Sequence, residues 1–94
     1  MDLHHDEGPT KGRYWTDGGA ELTYSVAGPT MIIIDHTEVP QALAGQGVGL
    51  ALVTRAVDDA RAAGRRIVPL CPYALSQFRR HPEWRDVWNG APKP

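Results

Sequence analysis

Val39-Pro40-Gln41-Ala42-Leu43-Ala44-Gly45-Gln46-Gly47-Val48-Gly49 decides how this chain folds, because it joins a strand-like run to a helix-like one through three glycines. Upstream, Met31-Ile32-Ile33-Ile34 is apolar at successive positions, which predicts a central strand covered on both faces. Downstream, Val48, Leu52, Val53, Ala56, Val57 and Ala60 recur at helical spacing and Thr54, Arg55, Asp58, Asp59 and Arg61 fall on the other side, so the spacing predicts an amphipathic helix from Gly47 to Ala63. Gly64 stands where a left-handed residue would end it, and Arg65-Arg66 follow at the negative end of its dipole. Glycines let backbone approach a ligand, and the free N–H groups of a first helical turn carry the positive end of the dipole. The chemistry of the stretch is therefore anion binding, and pyrophosphate fits such a cradle. Leu50 stands where a dinucleotide fingerprint needs glycine, and no Gly-Lys-Ser/Thr follows as in a phosphate loop. The same glycines would also suit plain packing of helix on sheet.

Working outward, Arg13-Tyr14-Trp15-Thr16 is β-prone and Asp17-Gly18-Gly19 has hairpin turn chemistry. Leu22, Tyr24 and Val26 alternate with Glu21, Thr23 and Ser25, the period of a half-buried strand ended by Gly28-Pro29. Ile67 to Cys71 reads as a further strand whose Pro69 cannot donate to a ladder, so one side stays unpaired there. Tyr73 to Arg80 reads as a second helix stopped by Pro82, with Trp84, Val87 and Trp88 as a last apolar turn. Residues 1–12 have no hydrophobic period and read as a flexible arm, residues 13–89 as one domain, and residues 90–94 as a loose tail. The expected class is α/β (α+β) in the order βββαβα, its sheet mixed, antiparallel in the first half and closed by a right-handed parallel crossover in the second.

At 94 residues a single modest core is expected, as a monomer or a homodimer. A formal net charge of −1 with mixed signs throughout argues against a nucleic-acid or membrane-surface partner. The lone Cys71 excludes an internal disulfide, and with no basic-then-apolar leader a reducing, cytoplasmic setting is expected. Histidines and Cys71 fall at no ligand spacing, so no metal site is expected.

Four motifs in order, His36-Thr37-Glu38-Val39-Pro40, Gly45-Gln46-Gly47-Val48-Gly49, Pro69-Leu70-Cys71-Pro72-Tyr73 and Arg80-His81-Pro82-Glu83-Trp84, make the chain from about Arg13 to Val87 resemble the GNAT acetyltransferases, within them a short stand-alone branch. The resemblance implies an acetyl-CoA-dependent N-acetyltransferase. The CoA pyrophosphate would lie over Gly45, Gln46, Gly47, Val48 and Gly49, and pantetheine between splayed strands ending at Val39 and Cys71. Ala44 stands where the family usually has Arg or Gln, and the extra elements that wall the acceptor site in larger members have no counterpart, so the acceptor pocket must be open or completed by a partner. The acceptor would be a small-molecule or protein amine. A fold that binds CoA without efficient catalysis is the competing reading.

Acetyl transfer to an amine needs a proton acceptor, a donor for the developing oxyanion and a proton for the leaving thiolate. His36 and Glu38, two apart at a strand end, share one face and either suits the base; the resemblance favours Glu38. Cys71, at the start of the last helix, is either a covalent acetyl acceptor or a small buried hydrophobe. The resemblance implies Tyr73 as the proton donor to the thiolate, and core packing is its other role. Arg79 and Arg80 are candidates for the CoA 3′-phosphate or a solvated helix face.

Overall fold

The computed structural model describes residues 1–93. Five strands run in the spatial order of the sequence: β1 (Leu3–Glu7), β2 (Lys11–Thr16), β3 (Glu21–Val26), β4 (Met31–Glu38) and β5 (Arg66–Pro69). The first four are antiparallel, and β4 pairs with β5 in parallel after the crossover through α1 (Val48–Ala63). α2 (Pro72–Arg80) and a 3-10 turn, Pro82–Trp84, complete the chain. The mixed α/β architecture is the expected one, with one strand more than expected.

That extra strand corrects the reading of residues 1–12 as a flexible arm. Leu3–Glu7 pairs with β2 along its whole length, although its sequence LHHDE has no apolar alternation. Tertiary contacts hold it. Arg65 donates to both carboxylate oxygens of Glu7 at 2.7 and 3.0 Å, Tyr24 Oη donates to Glu7 Oε1 at 2.7 Å, and the His5 ring stacks on Tyr14 with centroids 4.1 Å apart. The fold also runs past residue 89, because Arg85 bonds to the carbonyl of Pro92; Pro94, in the expected tail, lies outside the described residues.

α1 begins and ends on left-handed glycines, Gly47 at φ 74° and Gly64 at φ 68°, where a β-carbon would be strained. Its apolar stripe, Leu52, Val53, Ala56 and Val57, is fully buried in one core with Leu22, Tyr24, Ile32 and Ile34 of the sheet. Ile32 and Ile34 are buried and Met31 and Ile33 only half-buried, so β4 is covered on one face, not both, and it is an interior strand beside the central β3. The other face stays open and polar: Lys11 Nζ and Asp35 share the Ser25 hydroxyl at 2.8 and 2.7 Å, and Arg13 pairs with Glu21 at 2.8 Å over the Trp15 ring. Under α2, Phe78 meets Trp84 and Trp88 edge-on at 5.2 and 5.7 Å, the anchors expected of the last apolar turn. Among the described residues no helix is long and apolar enough to cross a membrane.

Candidate active site

β4 outlasts its parallel partner. Pairing runs from Met31↔Arg66 to Ile34↔Pro69, and Cys71 N–H makes a last bond to Ile34 O at 3.0 Å before Pro72 opens α2. From Asp35 to Glu38 that side of β4 is released, which opens a gap between the strand end and the start of α2. Pro69, buried on this outer strand and unable to donate, is consistent with early release.

The glycine stretch bounds the gap. After a 3-10 turn at Gln41–Leu43, Gly45 and Gly47 both take positive φ, 78° and 74°. A β-carbon on either would meet nothing within 4 Å, so their backbone faces open space. Gly47 caps α1 with no side-chain bond and no acidic residue stands in the first turn, so the first-turn amides and the positive dipole end remain uncompensated. A cavity of about 320 Å³ lies here, lined by Thr37 of β4, Val39 just beyond it, Leu43, Ala44, Gly45 and Gly47 of the loop, the start of α1 at Val48 and Gly49, and Tyr73 of α2. The cradle fits a phosphate-bearing ligand in shape and sign. Among the described residues no three His, Cys, Asp or Glu side chains converge on a metal-sized space.

Gly49 has a different task from its neighbours. A β-carbon there would sit 2.9 Å from the Tyr73 hydroxyl, so the missing side chain is what allows the phenol to lie over the first turn of α1. Tyr73 is about one-third exposed, at 37%, and burial raises its pKa while Arg80 works the other way. The phenol therefore keeps its proton at neutral pH and can give it.

A bulge decides which residues of β4 see the cavity. Tyr24 pairs with Ile34 but Thr23 pairs with His36, leaving Asp35 as the extra residue. Each later side chain changes face. Thr37, opposite buried Leu22, turns toward the cavity; His36 and Glu38, opposite Thr23 and Glu21, are exposed on the open face. Thr37 is the cavity-lining residue that the sequence reasoning missed, and no signal in the sequence marks it, since parity counted from Ile32 and Ile34 would turn His36 and Glu38 to the covered face and the bulge has no local signature.

The candidates thus divide. Val39, Gly45, Gly47, Val48, Gly49 and Tyr73 line one cavity. Cys71 is 4% exposed at the N-cap of α2 and its thiol donates to Thr37 Oγ1 at 3.6 Å, so it stands behind the cavity wall. His36 and Glu38 lie on the opposite face, Gln46 borders a separate hollow with Thr16 and Asp17, and Arg79 borders another beside Pro69. Arg80 is exposed at the last turn of α2 and does not line the cavity.

A family model described as GCN5-related N-acetyl-transferase matches residues 13–87. The NMR solution structure of a GCN5-like candidate N-acetyltransferase from Staphylococcus aureus is 31% identical, superposes with a TM-score of 0.71, and is matched over 96% of this chain and 91% of that one. No curated protein matches. With the family model spanning most of the chain and the fold shared almost end to end, this chain belongs to the GCN5-related N-acetyltransferases and is an acyltransferase of that family.

Proposed function

We propose that the chain transfers acetyl from acetyl-CoA to an amine by direct attack across the gap beside β4. The observation that carries this reading is the coincidence, in one cavity, of an uncompensated helix N-terminus, open glycine backbone and a protonated tyrosine at a released strand end. Acetyl-CoA supplies the activated acetyl group as a thioester. The amides of Val48 and Gly49 and the open backbone at Gly45 and Gly47 would hold its pyrophosphate, and Thr37 and Val39 would flank its pantetheine arm.

The two faces of the sheet then separate the partners. Loop, cavity and Tyr73 lie on the α1 side, while Glu38 and His36 stand on the open face of the same strand end. An acceptor approaching from that face meets Glu38, which takes the ammonium proton, and Tyr73 gives a proton to the departing sulfur. The open face needs no additional wall, which suits a short chain. Burial of Cys71 and the engagement of its thiol with Thr37 favour direct transfer over a covalent acetyl-cysteine. Neither a nucleic-acid nor a membrane partner is part of this reading.

The test is thiol release from acetyl-CoA with a panel of small amines and lysine peptides, alongside calorimetric titration with CoA. Gly47→Asp places a charge and a β-carbon in the cradle and should abolish both binding and turnover. Normal CoA binding in that variant would overturn the site.

A further inference from the structure

The chain treats the two edges of its sheet differently. On β5 the outer side is closed, because Ile67 N–H donates to Val87 O at 2.6 Å and Asn89 N–H to Ile67 O at 2.8 Å. On β1 no strand lies beyond among the described residues. The β1–β2 hairpin fixes which of its backbone groups are free. Gly8 N–H donates to Lys11 O at 2.8 Å, and bonded and non-bonded pairs alternate along an antiparallel ladder. Counting back through Glu7↔Gly12, Asp6↔Arg13, His5↔Tyr14 and His4↔Trp15, the amides and carbonyls of Asp6 and His4 are spent on β2. Those of Leu3, His5 and Glu7 point outward, a row of unpaired groups of the kind that templates strand addition.

A second copy of this chain fits that row. Antiparallel pairing about a two-fold axis normal to the sheet sets same-face residues opposite one another, so paired residue numbers must sum to an even value. Centred on His5, the register pairs Leu3 with Glu7, His4 with Asp6, and His5 with its own copy, and every outward group finds a partner. Centred on His4 or on Asp6, it keeps only three residues a side and sets His4 against His4 or Asp6 against Asp6. The His5-centred register pairs the most residues and sets His4 opposite the Asp6 carboxylate, while the two His5 rings that it brings together are already held against Tyr14 and Tyr24 of their own copies, so it is preferred. His4 and Asp6 both lie on the open face, where His4 already accepts one acidic neighbour, Asp17, at 2.8 Å.

We propose that β1 is a self-association surface, on which two copies pair antiparallel with His4 opposite Asp6 to make one continuous sheet. The helices of both copies then lie on the same side, and the two gaps, each three strands away, stay open at the far ends. Five residues a side fall short of the roughly 800 Å² per partner of a stable interface, so the association is weak and follows concentration.

Light scattering and sedimentation velocity on the full chain, from micromolar to millimolar concentration, should show the mass rising from 10.3 kDa toward twice that value. Amide exchange at His5 and Glu7 should slow over the same range. Asp6→Lys sets a second basic group opposite His4 at an exposed position and should weaken association at least tenfold with the thermal melt of the monomer unchanged. His5→Pro removes an outward N–H and should also weaken association, here with a lowered melt because the ring's stacking on Tyr14 is lost with it. Asp6→Lys is therefore the variant that isolates the edge. A mass of one chain at millimolar concentration, or association indifferent to both substitutions, overturns the proposal, whatever the outcome for acetyl transfer.

Discussion

Tyr73, Gly49 and Cys71 show how much depends on single atoms. Tyr73→Phe removes the proton offered to the thiolate and leaves the ring over α1, so turnover should fall by about tenfold or more with CoA affinity unchanged. Gly49→Ala puts a methyl 2.9 Å from the phenol oxygen and should push Tyr73 aside, reproducing the rate loss without removing the hydroxyl. A Gly49→Ala enzyme as fast as wild type would show that the position of the phenol is unimportant. Cys71→Ala should keep transfer within a few-fold, at a stability cost of about 1 kcal/mol for the small buried void. Mass spectrometry after acetyl-CoA should find no acetyl adduct on Cys71 of the wild type, and an adduct lost in Cys71→Ala together with the activity would establish the covalent route instead.

At the scale of elements, the start of α1 and the attachment of β1 each rest on charge. Ala44 stands at the rim of the cradle, and Ala44→Arg should tighten CoA binding by about 1 kcal/mol through a charge-assisted phosphate contact that weakens with salt. Calorimetry that finds equal or weaker binding would separate this loop from the phosphates. β1 is fastened by Glu7, whose pKa the Arg65 bonds lower from 4.5 to about 2. A depressed carboxylate adds stability above its unfolded value, and that stability is lost as pH falls from about 4.5 toward 2. Because the pair is partly solvated, the contribution should be about 1 kcal/mol. Urea melts of wild type and Glu7→Gln should therefore differ at pH 7 and converge near pH 2; a constant difference would place the effect outside this ionisation.

At the scale of the molecule, a chain of 94 residues with helices on only one face of its sheet has little core to spare. Ligand binding should be visible in its melting: at about 100 times its dissociation constant CoA adds about 2.7 kcal/mol, a rise of about 10 °C or more for a domain this small. An unshifted melt at saturating CoA would argue against a folded cofactor site. What the sequence by itself determined is whatever local periodicity and backbone chemistry control: the span of α1 between Gly47 and Gly64, the alternation of β3, the stop at Pro82, and the glycine cradle with its family resemblance. Three features were decided only in the tertiary structure. LHHDE became a strand because Arg65, Tyr24 and Tyr14, distant in sequence, supply the contacts that its own side chains cannot give one another. Gly49 gained its purpose from Tyr73, a residue of another helix. Thr37, rather than His36 or Glu38, came to face the cavity because one extra residue opposite Thr23 and Tyr24 reversed the parity of the strand, and a period-two pattern read along a single strand carries no record of where its partner slips.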